Sequence, residues 1–203
     1  MAIDLHKGDL PAGLTFPKTV AVDTETMGLN PHRDRLCVVQ LSGGDGNAHV
    51  VQLRAAVEPS RLKALLADPD TLKIFHFARF DVAAVKRHLG VDCAPVYCTK
   101  IASKLCRTYT DRHGLKDVVR ELAGVDLSKQ QQSSDWGADA LSEAQLDYAA
   151  SDVLYLHTVR DRLNEMLERE GRMALAQACF DFVPTRAALD LAGWPEADIF
   201  SHA

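Results

Sequence analysis

Three short runs rich in β-branched residues, Thr19 to Thr24 (TVAVDT), Arg35 to Leu41 (RLCVVQL) and His49 to Leu53 (HVVQL), follow one another with only turn-forming clusters between them. β-Branched side chains crowd a helix and fit a pleated surface, so each run predicts a strand. The connector Gly43-Gly44-Asp45-Gly46-Asn47 is short and turn-rich, which predicts an antiparallel hairpin from the second and third runs. The period then changes. Pro59 to Ala67 sets Leu62, Leu65 and Leu66 at helical spacing and stops at Asp68-Pro69, and a fourth strand is expected at Leu72 to Phe77. A helix over Phe80 to Leu89 with Gly90 as its stop, a strand at Val96 to Thr99, and helices at Lys100 to Thr108 and Gly114 to Ala123 follow. Gln130 to Asp139 is polar and poor in helix formers. Ser142 with Gln145 forms a capping-box signature for a long helix to about Glu170, and one or two helices broken near Pro184 finish the chain. This order predicts an α/β fold, a mixed sheet with helices packed on it, in a single domain over residues 1–203.

Composition removes several function classes. At 203 residues with 47% hydrophobic and 25% charged residues, the chain is ordinary in make-up and long enough for one buried core. It has no run of 18 apolar residues, and Asp4, His6, Lys7 and Asp9 stand where a signal peptide would be apolar, so no membrane association and a cytoplasmic location are expected. The five cysteines include no Cys-x-x-Cys pair, which argues against a disulfide framework and a zinc site. The net charge of −5 is unusual for a protein that binds nucleic acid. Two divalent cations held by acids would offset four of those charges. Lys100, Lys104, Arg107, Arg112, Lys116 and Arg120 also fall in one stretch, either a phosphate-tracking surface or a solvated face.

The acids carry the chemistry. Asp23 and Glu25 stand two apart at the end of a run whose Val20, Ala21 and Val22 predict burial, so both carboxylates leave one face of the sheet. Asp81 lies where a strand hands over to a helix, a position that also suits a plain helix cap. Tyr148 and Asp152 are four apart on one helix face. Oxygen ligands without committed Cys or His point to Mg²⁺ or Mn²⁺. A haloacid-dehalogenase-type phosphatase also begins with an acid pair after its first strand, but its chemistry wants Asp-x-Asp, and Glu25 fits that poorly.

The segments AVDTETMGL (21 to 29), HFARFD (76 to 81), HGLKDVV (113 to 119), DLSK with SSDW (126 to 136) and LDYAASDVLYL (146 to 156) together resemble the ribonuclease D group of the DEDD exonucleases over nearly the whole chain. The resemblance implies a ribonuclease H-like fold, a five-stranded mixed sheet flanked by helices with extra C-terminal helices. It implies Asp23, Glu25, Asp81 and Asp152 as ligands of two Mg²⁺ or Mn²⁺ ions, with Asp23 bridging, Glu25 and Asp152 completing the first ion and Asp81 serving the second. Tyr148 marks the tyrosine subtype, since the histidine subtype needs His at position 147, which is Asp147 here. The implied activity is 3′–5′ hydrolysis of single-stranded RNA from its 3′ end to 5′-mononucleotides. A DNA exonuclease of the same family and a non-catalytic nucleic-acid-binding module are the alternatives. Thr26 and Met27 would touch the terminal nucleotide, Met27 otherwise being a core residue. His76 and Phe80 match substrate-side positions beside the third acid, a packed histidine being the alternative at His76. Trp136 either stacks a base or anchors the polar loop. Ribonuclease D proper continues into further C-terminal helical RNA-binding domains, and this chain is expected to lack them.

Overall fold

A computed structural model describes residues 2–128, 130–131 and 133–202. Six strands, β1 (Ile3–Lys7), β2 (Thr19–Thr26), β3 (Leu36–Ser42), β4 (Ala48–Gln52), β5 (Leu72–Phe75) and β6 (Val96–Cys98), form one mixed sheet in the order β1-β4-β3-β2-β5-β6. β2, β3 and β4 are antiparallel neighbours, and β3 and β4 make the expected hairpin. β5 runs parallel to β2, β6 to β5, and β1 to β4. The five strands anticipated from the sequence are present, and β1 adds a sixth. Its IDLHK pattern has only two apolar residues, Ile3 and Leu5, and its partner β4 is 45 residues on, so nothing local announces it.

Seven helices complete the described chain: α1 (Ser60–Ala67), α2 (Ala78–Leu89), α3 (Thr99–Cys106), α4 (Leu115–Ala123), α5 (Glu143–Leu154), α6 (Leu156–Arg169) and α7 (Met173–Leu191). Gly90 ends α2 in the left-handed conformation, as its position predicted. Ser142 caps α5 through the full reciprocal box with Gln145. Among the described residues no helix is long and apolar enough to cross a membrane.

Two helix expectations need correction. The single helix from Ser142 to Glu170 is broken at Tyr155, which lets α5 lie across β1 to β4 while α6 turns to pack on α3, α4 and β5. Conversely, α7 runs unbroken through Pro184. A proline inside a helix costs about 3 kcal/mol, and the buried stripe of Ala176, Phe180, Val183 and Ala187 against the rest of the fold offsets it.

The alternation of β2 positions the site. Val20, Val22 and Thr24 point one way and Ala21, Asp23 and Glu25 the other. Register carries the second set onto β3, with Asp23 opposite Gln40 and Glu25 opposite Val38. On that face Val38, Val50, Cys37 and Ala149 form a small core with Trp136, and Tyr148 and Leu146 of α5 pack against it. A larger core on Val22, Val39, Leu41, Ile74, Phe75, Val82, Val85 and Phe180 holds α2 and α7.

Candidate active site

Asp23 and Glu25 leave the end of β2 toward α5, which presents Asp152 to them. One carboxylate oxygen from each of the three lies within 4.8 Å of the others. Burial raises the Asp23 carboxyl to about 7. Glu25 is pushed up to about 10, first by burial and then by the charges of Asp23, Asp152 and Asp81. Asp152 is also held well above the usual carboxylate range, by burial and by Asp23, with the Tyr148 hydroxyl acting in the opposite direction. Among the described residues no arginine or lysine acts on the Glu25 or Asp152 carboxyl. Three half-buried acids so placed are mutually repulsive until a cation joins them, so the donor set fits a hard divalent metal.

Asp81 stands apart from the trio. It is 3% exposed on α2 and accepts a hydrogen bond from Thr24 Oγ1 at 2.6 Å. It lies in the first turn of α2, where the helix dipole favours a carboxylate, although Phe77 and not Asp81 holds the N-cap position. Thr24 points away from Asp23 and Glu25, so consecutive residues of one strand serve both sides: the acids reach α5 and the threonine fixes the acid on α2. Burial followed by the nearby Asp23 raises Asp81 well above its ordinary value. We expect Thr24→Val to destabilise the fold by roughly 1–3 kcal/mol in urea denaturation, because it removes the side-chain donor to a buried carboxyl group; an unchanged midpoint would remove Thr24 from this role.

Gln40, fully buried on β3, donates to Asp23 Oδ2 at 3.2 Å. Nothing in its local sequence singles it out. Only the strand register brings it to the site. Tyr148, one turn before Asp152, is held protonated at neutral pH: burial and the flanking acids Asp152, Glu25 and Asp23 push its phenol well above 10.

Asp23, Glu25 and Asp152 open into a cleft of about 680 Å³ whose walls include Thr26, Met27, Leu29, His76, Phe77, Phe80, Lys100, Lys116, Trp136 and Tyr148. All four anticipated substrate-side residues therefore line it. Thr26 Oγ1 donates to Gly28 O at 2.5 Å and shapes the turn out of β2. A side chain at Gly28 would collide with Asp34, so the close approach there requires glycine. Met27 is not a core residue: it is 50% exposed, because a bulge in the β2–β3 register after Glu25 turns this segment out of the sheet. His76 is kept neutral, its pKa near 3 through burial and the nearby Lys100, and its Nδ1 is 2.9 Å from Thr99 Oγ1. Trp136 is 2% exposed and packs 6.0 Å from the Tyr148 ring, so it anchors the polar loop beneath the cleft.

The basic stretch divides. Lys100 and Lys116 line the cleft. Arg107 is 1% exposed and ties α3 to α4 through Glu121, Ser103 and the Arg112 carbonyl, while Arg120 pairs with Asp117. Arg107 is therefore structural, because α4 brings a carboxylate to it, whereas Arg120 stays on the surface in an exposed pair. Phe77, Lys100, Lys116, Thr24 and Gln40 are the site residues that sequence reasoning did not pick out individually for this cleft.

Comparison with known proteins agrees with this geometry. Residues 11–168 match a family model described as 3′–5′ exonuclease. A ribonuclease D from Granulibacter bethesdensis is 37% identical over 155 residues, covering 76% of this chain and 39% of that protein, so the chain spans about two fifths of that curated relative. Two solved structures of Brucella melitensis NrnC cover 100% of both chains. One, with bound Mg²⁺, is 55% identical with a TM-score of 0.94; the other, bound to pGG, is 57% identical with a TM-score of 0.95. Escherichia coli RNase D, an exoribonuclease involved in structured RNA processing, matches at 28% identity and a TM-score of 0.74 over 85% of this chain and 45% of that one. With the acids, the mixed sheet and these matches in agreement, the chain belongs to the 3′–5′ exonuclease family, in its ribonuclease D-like branch.

Proposed function

We propose that the protein is a divalent-metal-dependent 3′–5′ exoribonuclease that acts on the 3′ ends of short single-stranded RNA and releases 5′-mononucleotides. The observation that carries this is the gathering of Asp23, Glu25 and Asp152 from β2 and α5, with carboxylate oxygens within 4.8 Å of one another, beside the phenol of Tyr148. The NrnC relative bound to pGG supports a short RNA as substrate, and the Mg²⁺-bound one supports the metal.

Asp23, Glu25 and Asp152 would hold one ion, and Asp23 with Asp81 a second. Mg²⁺ or Mn²⁺ bound there supplies Lewis-acid polarisation of the scissile phosphate and stabilises charge on the leaving oxygen. The chain's own residues do the rest. Gln40 fixes the Asp23 carboxylate from behind, and Thr24 fixes Asp81. A tyrosine phenol keeps its proton at neutral pH, whereas metal-bound water ionises far more readily, so the Tyr148 hydroxyl is placed to orient the attacking water, not to act as its base. Lys100 and Lys116 offset phosphate charge along the cleft. Thr26 to Leu29 closes the cleft beside Glu25, with the exposed Met27 side chain available to the terminal base. Hydrolysis yields a 5′-mononucleotide and a chain shortened to a new 3′ hydroxyl.

Degradation of a 5′-labelled single-stranded RNA and its DNA counterpart, with Mg²⁺, Mn²⁺ or EDTA, tests this reading. A progressive ladder on RNA that EDTA abolishes supports it. Equal or faster DNA cleavage moves the substrate class to DNA, and no cleavage of either leaves a nucleic-acid-binding module. Tyr148→Phe should lower kcat by about a hundredfold, the cost of misplacing a reacting group by about 1 Å, with Mg²⁺ affinity by calorimetry unchanged. Full turnover in that variant would take Tyr148 out of the mechanism.

A further inference from the structure

We infer that Phe77, with Lys100 seated on one face of its ring, is a base-stacking residue for the substrate nucleotide beside the scissile phosphate; this rests on the exoribonuclease reading above. Phe77 is the one non-glycine residue with positive φ among those described, at φ 67 and ψ 41. That conformation crowds the Cβ of an L-residue and is free of cost only for glycine, with asparagine the next best. The turn from β5 into α2 therefore calls for glycine, yet carries a bulky aromatic. Nor does helix capping explain the residue, since Phe77 precedes α2 without any side-chain hydrogen bond to it.

The ring's placement supplies a reason. It is 44% exposed, an apolar surface offered to water at the wall of the acid cleft, four residues before Asp81. Strained backbone that holds an exposed side chain in a cleft is a mark of function. Lys100 Nζ sits 4.3 Å from the ring centroid, a cation against the electron-rich face. The exposed part of the ring is apolar surface that a nucleobase can cover, and the Lys100 ammonium lines the same cleft to meet the adjoining phosphate. A flat apolar face beside a cation is the pairing that single-stranded nucleic acid uses, and it accepts any base because each has a π face. Lys116 adds a second positive charge to the same cleft.

The test exploits the backbone. Phe77→Gly removes the ring and relieves the conformation, so its melting temperature should equal or exceed that of the parent. We expect KM for a short 5′-labelled RNA to rise roughly tenfold, with kcat within about twofold and Phe77→Tyr restoring KM. In parallel, binding of an RNA carrying 2-aminopurine, with Ca²⁺ replacing Mg²⁺, should quench its fluorescence in the parent and not in Phe77→Gly. Unchanged KM and unchanged quenching in Phe77→Gly overturn the inference. A changed oligomeric mass by light scattering with KM unchanged also overturns it, and assigns the ring to contact between copies. Should the parent cleave no RNA, the exoribonuclease reading fails, while the quenching experiment still decides whether Phe77 stacks on a base.

Discussion

Asp23→Asn is expected to lower RNA cleavage by about a thousandfold while making the metal-free protein more stable. Both halves come from one geometry. Asp23 shares a space within 4.8 Å with Glu25 and Asp152, and its charge contributes to the raised pKa of Glu25, Asp81 and Asp152 alike. No other acid of the site enters as many of these relations, so removing its charge loosens the hold on any cation. A Lewis acid at a phosphoryl centre is worth several kcal/mol of transition-state stabilisation, and about 4 kcal/mol corresponds to roughly a thousandfold in rate. Without metal the same substitution removes repulsion from a half-buried set, and the amide keeps shape and can still meet Gln40. In EDTA at pH 8 the melting temperature should rise by about 5 °C, as roughly 2–4 °C accompanies each kcal/mol in a chain of this size. A fall in melting temperature, or near-normal cleavage, would contradict the assignment of Asp23 as the central ligand. Asp152→Asn should behave alike in EDTA.

The second large effect is a pH dependence that metal suppresses. The Asp23 carboxyl ionises near 3.8 in the unfolded chain and near 7 in the folded one, and Glu25 near 4.5 and near 10. Between those values the folded state binds more protons than the unfolded state, so stability declines as pH rises. The contribution of Asp23 is intact below about pH 4 and gone above about pH 7, and the decline from Glu25 continues toward pH 10. In EDTA, the unfolding free energy from urea titrations should therefore fall through this window by an amount on the order of a few kcal/mol. Saturating Mg²⁺ compensates the ionised carboxylates and binds the native state preferentially, so the decline should flatten and the midpoint rise with Mg²⁺ concentration. A pH profile that is the same with Mg²⁺ and with EDTA would show that the acids do not bind the ion in the native protein. The charge-neutral Asp23→Asn should also show a shallower decline in EDTA, which separates the carboxylates from any general effect of pH.

Much of the site could be read before the fold was known, for identifiable reasons. The strand TVAVDT is local: its β-branched residues specify extension, and extension alone sends Asp23 and Glu25 to one face. The capping box at Ser142 and the stop at Gly90 are likewise local hydrogen-bonding and conformational devices. Chain order supplied the rest, because the spacing of Tyr148 and Asp152 within a helix fixes their common side. What escaped the sequence is non-local. β1 needs β4 to become a strand at all. The break at Tyr155 follows from two different packing surfaces, since no proline or glycine marks it. Pro184 obeyed packing over propensity. Arg107 looked like part of a basic surface until α4 brought Glu121 to it.

For the acids themselves, the sequence determined which residues carry the charge and that Asp23 and Glu25 must share a face. Tertiary structure decided how they divide. Asp152 comes to that face on α5 and joins them, whereas Asp81 arrives on α2 and is tethered by Thr24, which the same strand turns the other way. The physical reason is that strand alternation is fixed by two dihedral angles per residue, but the meeting of two helices over a sheet depends on burial summed over the whole core. The same distinction holds for Phe77: its identity is written in the chain, and only the left-handed turn into α2 shows that a phenylalanine stands where glycine would be easier.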